Sequence, residues 1–397
     1  MSHAGKNATN SGKRILFLDS MRSILMMLGV VLHSAMIFNP QDTWLIQSEN
    51  ESALLGYLVN IIHWFRMPAF FMVSGFLTAM LLQKYGSRAF LQSRSNRLLV
   101  PLLFGSLVLN SVVTMLLVNQ GWRSSDLSGY LRNSDEWLQH LWFLRNLLVY
   151  MLIVYALGRF RYLHPTLRAF SDRLGGVPVL MTLCMLPVLS VLVPVISRLG
   201  VPVYFSAYGL DMYSILSWLP FFAFGAALFF NRSVFDALLY LDQWKVMLFF
   251  GCSTLLVMVL PEPQGVFDRS VEIYLQSLSV WFAVVLCTQL FFRFCDKPSR
   301  LWRYLSDASY SVYLMHQLFV VVLGMFVIRA GMPAYIGFPI LVLATIALTL
   351  WIHNSWISTS AVVRFVVNGK FAATPEAKPA GARDRDSLRE RGGKSAD

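Results

Sequence analysis

The sequence predicts an all-α integral membrane protein of about ten transmembrane helices, with both termini in the cytoplasm. Three observations carry this. Of 397 residues, 56% are hydrophobic and only 14% charged, where a soluble domain carries roughly 25% charged residues. The apolar residues come in runs long enough to cross ~30 Å of hydrocarbon. Lys and Arg collect in alternate connections between those runs, the pattern that sets membrane orientation.

The runs fall at 15–38, 53–82, 98–118, 137–158, 177–197, 212–230, 245–261, 271–292, 305–328 and 336–357. Their connections are short and leave no room for a folded loop domain. Residues 1–14 read as a cytoplasmic segment, 15–357 as one polytopic membrane domain, and 358–397 as a basic, disordered cytoplasmic tail, rich in Ala, Pro and Gly from 371. No cleavable signal precedes the first run, so the first helix serves as its own targeting signal. The expected outer side holds only Arg123, Arg132, Arg198, Arg269 and Arg329. Clusters such as Lys84, Arg88, Arg94 and Arg97, or Arg293, Lys297, Arg300 and Arg303, lie on the other.

The net charge of +12 is thus a topology signal, and nucleic acid is not an expected partner. Cys184, Cys252, Cys287 and Cys295 lie in or beside apolar runs without metal-ligand spacing, which points to small core residues rather than a disulfide framework or zinc site. The outer loop 40–52 lacks Lys and Arg. Trp122, Tyr130, Tyr204 and Tyr208 in the later outer loops suit either an interfacial belt or a platform for sugar rings.

Ionisable groups within hydrocarbon cost at least ~2.5–3.5 kcal/mol each at mid-depth, so they are functional candidates. The first run carries Asp19, Arg22 and His33. Asp19 and Arg22 are i,i+3 partners. Arg22 and His33 are eleven residues apart, within about 20° of one helical face and about 16 Å apart along the axis. The second run carries His63 and Arg66, followed by the helix-kinking Pro68 and by Ser74-Gly75, suited to close packing. Arg94 and Arg97 precede the third run, where two guanidiniums suit bidentate contact with phosphate. His140, Trp142 and Arg145 fall in the fourth run; Ser309, Tyr313 and His316 share a face of the ninth. The plainer alternatives are a snorkelling Arg22, a structural His63–Arg66 pair and orientation-setting arginines at 94 and 97.

Phosphate-loop, HExxH, GxSxG and paired-carboxylate signatures are absent. Buried His and Arg in a helical bundle suit two classes. One is a transporter or flippase of an anionic substrate. The other is a membrane enzyme with a histidine general base and a cationic phosphate binder. A hydroxyl acceptor attacking a thioester needs such a base, and a coenzyme A donor brings the phosphates.

Five stretches decide between them: Arg22-x10-His33, RMPAFFMVSGF at 66–76, Arg94-x-x-Arg97 with Pro101, HLWFL at 140–144 and SYSVYLMH at 309–316. In order, over residues 16–357, they resemble the successive motifs of the membrane-bound acyltransferase type three family. The opening FLDSMRSILMMLGVVLH, Thr43-Trp44 and HWFRMPAFFMVSGF are most similar to the glucan biosynthesis branch, whose members are taken to succinylate osmoregulated periplasmic glucans. A related branch O-acetylates other surface polysaccharides.

The resemblance implies a multi-pass enzyme of the bacterial inner membrane, with no permanently bound cofactor. It would move a succinyl or acetyl group from cytoplasmic acyl-CoA to hydroxyls of a periplasmic glucan, beside the glucan synthesis machinery. It implies His33 as general base, with Arg22 and Asp19 as catalytic neighbours, and Arg94 and Arg97 on the coenzyme A phosphates. His63, Arg66, His140, Trp142, Arg145, Ser309, Tyr313 and His316 would line the substrate channel. Arg145 is the candidate partner for a succinyl carboxylate.

Overall fold

The computed structural model describes residues 15–123, 137–159, 172–173, 175–207 and 209–370. Every apolar run is helical within these limits. α1 is Leu16–Met36 and α2 is Ala53–Tyr85, which continues through Pro68. α3 (Ser87–Phe104) passes through a π-helical turn, Gly105–Leu109, into α4 (Asn110–Asn119). A 3-10 turn, Gln139–Leu141, opens α5 (Trp142–Arg159). α6 (Val179–Met185) and α7 (Pro187–Arg198) follow, and then a hairpin pairs Ser206–Ala207 with Leu210–Asp211. α8 is Met212–Phe230, N-capped by the Asp211 carboxylate on the Ser214 amide. α9 (Arg232–Leu239), α10 (Gln243–Val259), α11 (Val266–Cys295), α12 (Arg300–Arg329) and α13 (Ala334–Ile352) complete the bundle. A π-helical turn, His353–Ile357, then leads to the short α14 (Ala361–Asn368).

One expectation is not confirmed and another is corrected. Among the described residues, eight helices are long and apolar enough to cross a membrane, or nine if α9 and α10, bent by 78°, form one span. That is fewer than ten; α5, which fills the remaining predicted run, is not among them. The tail was expected to lack structure from 358. Instead the Ser360 hydroxyl accepts the Val363 amide to start α14, which is amphipathic and docks on α3. Residues 1–14 and 371–397, like Tyr130, Arg132 and Tyr208, lie outside the described residues.

α1 runs through the middle of the bundle and packs against α2, α11, α12 and α13. Met21, Leu25 and Val30 on it are fully buried. One apolar cluster fills the bundle around the first half of α1 and reaches α2, α5, α8 and α11. A smaller one gathers Val30, Ile37, Phe38, Val320 and Val321 toward the far end of α1. α2 and α8 cross backbone to backbone: a Cβ on Gly75 would stand 1.9 Å from the Phe222 carbonyl oxygen, and one on Gly225 1.9 Å from that of Met72. Such small-residue crossings hold membrane helices together where burial of apolar surface supplies little net force. The outward faces present Leu103, Leu107, Met247, Leu255 and Leu343, the side chains that lipid would solvate.

Candidate active site

Four elements converge on the second half of α1. His33 comes from α1, Arg66 from α2, His140 from the 3-10 turn, and Tyr313 and His316 from α12. His316 Nε2 lies 3.1 Å from His33 Nδ1, and His316 Nδ1 lies 2.6 Å from the carbonyl oxygen of Tyr313. A carbonyl only accepts, so His316 Nδ1 carries a proton. Neutral His316 therefore accepts at Nε2, and His33 donates from Nδ1. His33 Nε2 is left as the basic nitrogen. The two rings stack with centroids 5.0 Å apart, and Trp44 covers His33 at 5.2 Å. Trp44 reaches this position because loop 37–52 folds back, with the Ser48 amide on the Ile37 carbonyl and the Ser52 amide on that of Phe38.

Arg66 is buried and donates from Nε to the Leu25 carbonyl across the helix interface at 2.9 Å. It fits because position 29 is glycine: a Cβ there would lie 2.5 Å from Arg66 Nη2 and 3.3 Å from His316 Nε2. The guanidinium and the imidazole thus crowd the same missing methyl group.

The turn carrying His140 is held from three sides. Asn110 donates to the carbonyls of Trp137 and Leu138, Tyr313 Oη donates to the His140 carbonyl at 2.7 Å, and Gln317 donates to the Gln139 side chain. Gln139 has φ +42°, a left-handed conformation rare for a residue with a side chain, and such strain gathers at functional sites. The result aims the His140 ring at His316, with centroids 5.1 Å apart.

His33, His63, Arg66, His140, Trp142, Trp218 and Tyr313 line one cavity. A second cavity lies toward the start of α1 and is basic. Arg22, Arg94, Arg97 and Lys370 line it with Asp307, Ser306, Ser309 and Tyr310. Arg22 Nη2 donates to the Ser306 hydroxyl, and Tyr310 Oη to the Arg97 carbonyl. Burial and the neighbouring Arg97, Arg22 and Arg94 push the Lys370 ammonium down to about 8, against the opposing pull of Asp307. Phe143 lines both cavities, its ring packed edge-on against Phe70 and Tyr313.

The predicted residues therefore divide. His33, His63, Arg66, His140, Trp142 and Tyr313 meet at one cavity, with His316 behind His33. Arg22, Arg94, Arg97 and Ser309 meet at the other, and Asp19 stands one turn before Arg22 on α1. Arg22 and His33 share a helix but not a site. Arg145 lines neither cavity. Its Nη1 donates to the Gly209 carbonyl and its Nε to Asn146, so it ties α5 to the hairpin and is not placed to meet a succinyl carboxylate. Sequence reasoning missed Gly29, Asn110, Gln139, Trp218, Gln317 and Lys370. Buried amides inside apolar runs were the available signal for Asn110 and Gln317; Gly29 carried none, because its role depends on what crosses it.

A family model described as an acyltransferase domain matches residues 15–354. The chain belongs to this acyltransferase family. The helical bundle and the family together make it a multi-pass membrane acyltransferase. Curated relatives include proteins named glucans biosynthesis protein C from Salmonella heidelberg (strain SL476) and Salmonella paratyphi B. Each is 28% identical over 229 residues, which cover 54% of this chain and 58% of the relative. The match thus spans little more than half of those proteins. No solved structure matches the chain.

Proposed function

We propose that this acyltransferase moves an acyl group, succinyl by resemblance to the glucan branch, from cytoplasmic acyl-CoA to a hydroxyl of a periplasmic glucan across the bacterial inner membrane. The single observation that carries this reading is the His316–His33 hydrogen bond, which leaves one basic imidazole nitrogen at a cavity lined by carbohydrate-stacking aromatics.

The basic cavity is the donor site. Arg94 and Arg97 take the coenzyme A phosphates there, with Arg22 beside them. Arg22 and His33 are eleven residues apart on a continuous helix, about 16 Å along the axis. The extended pantetheine arm is a chain of comparable length, so phosphates at Arg94 and Arg97 bring the thioester past Phe143 to His33. Trp142 and Trp218, with ring centroids 5.9 Å apart, offer the acceptor sugar a stacking face in the other cavity.

His33 Nε2 takes the proton of the acceptor hydroxyl as its oxygen attacks the thioester carbonyl carbon. Arg66 stabilises the oxyanion that develops on that carbonyl. As the tetrahedral centre collapses, the carbon–sulfur bond breaks and the ester bond remains. The proton on His33 then passes to the departing thiolate. His316 keeps the ring oriented throughout by accepting from Nδ1, the positioning that a general base requires.

Mass spectrometry of periplasmic glucans from a deletion strain, with and without the gene restored, tests the assignment. Loss of a succinyl mass supports it. Loss of an acetyl mass alone refutes the donor, and no change in either refutes the glucan acceptor.

A further inference from the structure

The basic cavity has a wall that the family match does not include. The match ends at residue 354, yet Asn368 and Lys370 line the cavity. The segment carrying them is firmly seated. α14 packs on α3, and the Ser311 hydroxyl donates to the Asn368 side chain at 3.1 Å. Gly369 closes α14 in a left-handed conformation, φ +62°, with its amide on the Phe365 carbonyl. A Cβ at Gly369 would stand 2.2 Å from the Asn96 carbonyl oxygen and 2.5 Å from Arg97 Cα. The chain can lie this close to the arginine turn of α3 only as glycine, and that contact is what brings residue 370 over the cavity.

The charges around the cavity favour an anionic ligand. Among its described lining residues are three guanidiniums and one ammonium from α1, α3 and the end of α14, against the single carboxylate of Asp307. Four cations converging on one space repel each other and lose hydration, a cost offset when a multiply charged anion enters. An exposed orienting cluster would spread its side chains into water; this one is gathered inward from three separate elements.

We propose that the Gly369–Lys370 segment closes the donor site from the C-terminal side, and that Lys370 binds a donor phosphate opposite Arg94 and Arg97. This rests on the reading of the basic cavity as the acyl-CoA site. A phosphate there is held between α3 and a segment outside the matched region, so the phosphate grip depends on a part of the chain that the family pattern does not define.

Full-length protein in lipid nanodiscs, titrated with coenzyme A and with phosphate-free pantetheine, tests the proposal. Lys370→Ala is expected to weaken coenzyme A binding about tenfold, the scale of one lost charged hydrogen bond, and to leave pantetheine binding unchanged. Lys370→Arg is expected to bind coenzyme A like the unmodified protein. Lys370→Gln, which keeps most of the stem, is read in place of the alanine variant should that one misfold, with the same loss expected. If Lys370→Ala binds coenzyme A normally while Arg94→Ala does not, the closing role is overturned and the donor site stands. If the unmodified protein does not bind coenzyme A, both fall.

Discussion

His316 and His33 share one hydrogen bond between α12 and α1, and the Tyr313 carbonyl fixes its direction. A base whose lone pair is directed by a neighbour depends on that neighbour for orientation and tautomer. His316→Ala is predicted to lower kcat at least about tenfold while leaving the donor KM near its original value, because His316 lies behind His33 and away from the phosphates. Steady-state kinetics with acyl-CoA separates the two parameters; a rise in donor KM alone contradicts the positioning role.

Gly29→Ala puts a methyl group 2.5 Å from Arg66 Nη2. The guanidinium must move, and its bond to the Leu25 carbonyl moves with it. Overpacking of this kind costs about 1–3 kcal/mol. The variant is predicted to melt at a lower temperature in detergent and to lose most transfer activity while still binding coenzyme A, since the donor cavity lies elsewhere on α1.

Asn110→Ala removes the side chain that satisfies the carbonyls of Trp137 and Leu138. Leaving buried acceptors unpaired costs about 1–3 kcal/mol, and here the loss falls on the turn that holds Gln139 at φ +42°. Hydrogen exchange is predicted to quicken at 137–141 more than in α8 or α11. Uniform protection in the variant contradicts the bracing role.

Lys370 gives the donor site a pH dependence. Its ammonium titrates near 8 in the free protein, with Arg22 from α1, Arg94 and Arg97 from α3 and Asp307 from α12 facing it. A phosphate needs the charged form, so binding is fully supported below that value and declines as pH rises through it. The donor KM is predicted to climb between about pH 7.5 and 9. Lys370→Arg, whose guanidinium stays charged throughout, is predicted to flatten the profile. Equal slopes for both proteins contradict the assignment.

Much of the architecture was legible in the sequence because a membrane makes hydrophobicity nearly one-dimensional: all ten predicted runs are helical. The site was legible in composition and not in grouping. His33, Arg66, His140 and Tyr313 stood out because charge and imidazole are costly in hydrocarbon. The helical face shared by Arg22 and His33 suggested one site, but Arg22 donates to Ser306 near the start of α12 in the basic cavity, while His316 farther along α12 and the 137–141 turn surround His33. Arg145 looked functional for the same reason as Arg66, and only the fold reveals that the Gly209 carbonyl occupies it. α14 was hidden because its eight residues, though mostly apolar, are too few to read as a membrane span; its place is fixed by Gly369 against α3.

The proposed transfer turns on His33 as the base. Single-turnover transfer by purified His33→Ala, beside a measurement of its coenzyme A binding, addresses it most directly. The prediction is a loss of at least about 100-fold in the transfer rate with donor affinity unchanged. Transfer at the original rate by a protein that still binds coenzyme A contradicts it.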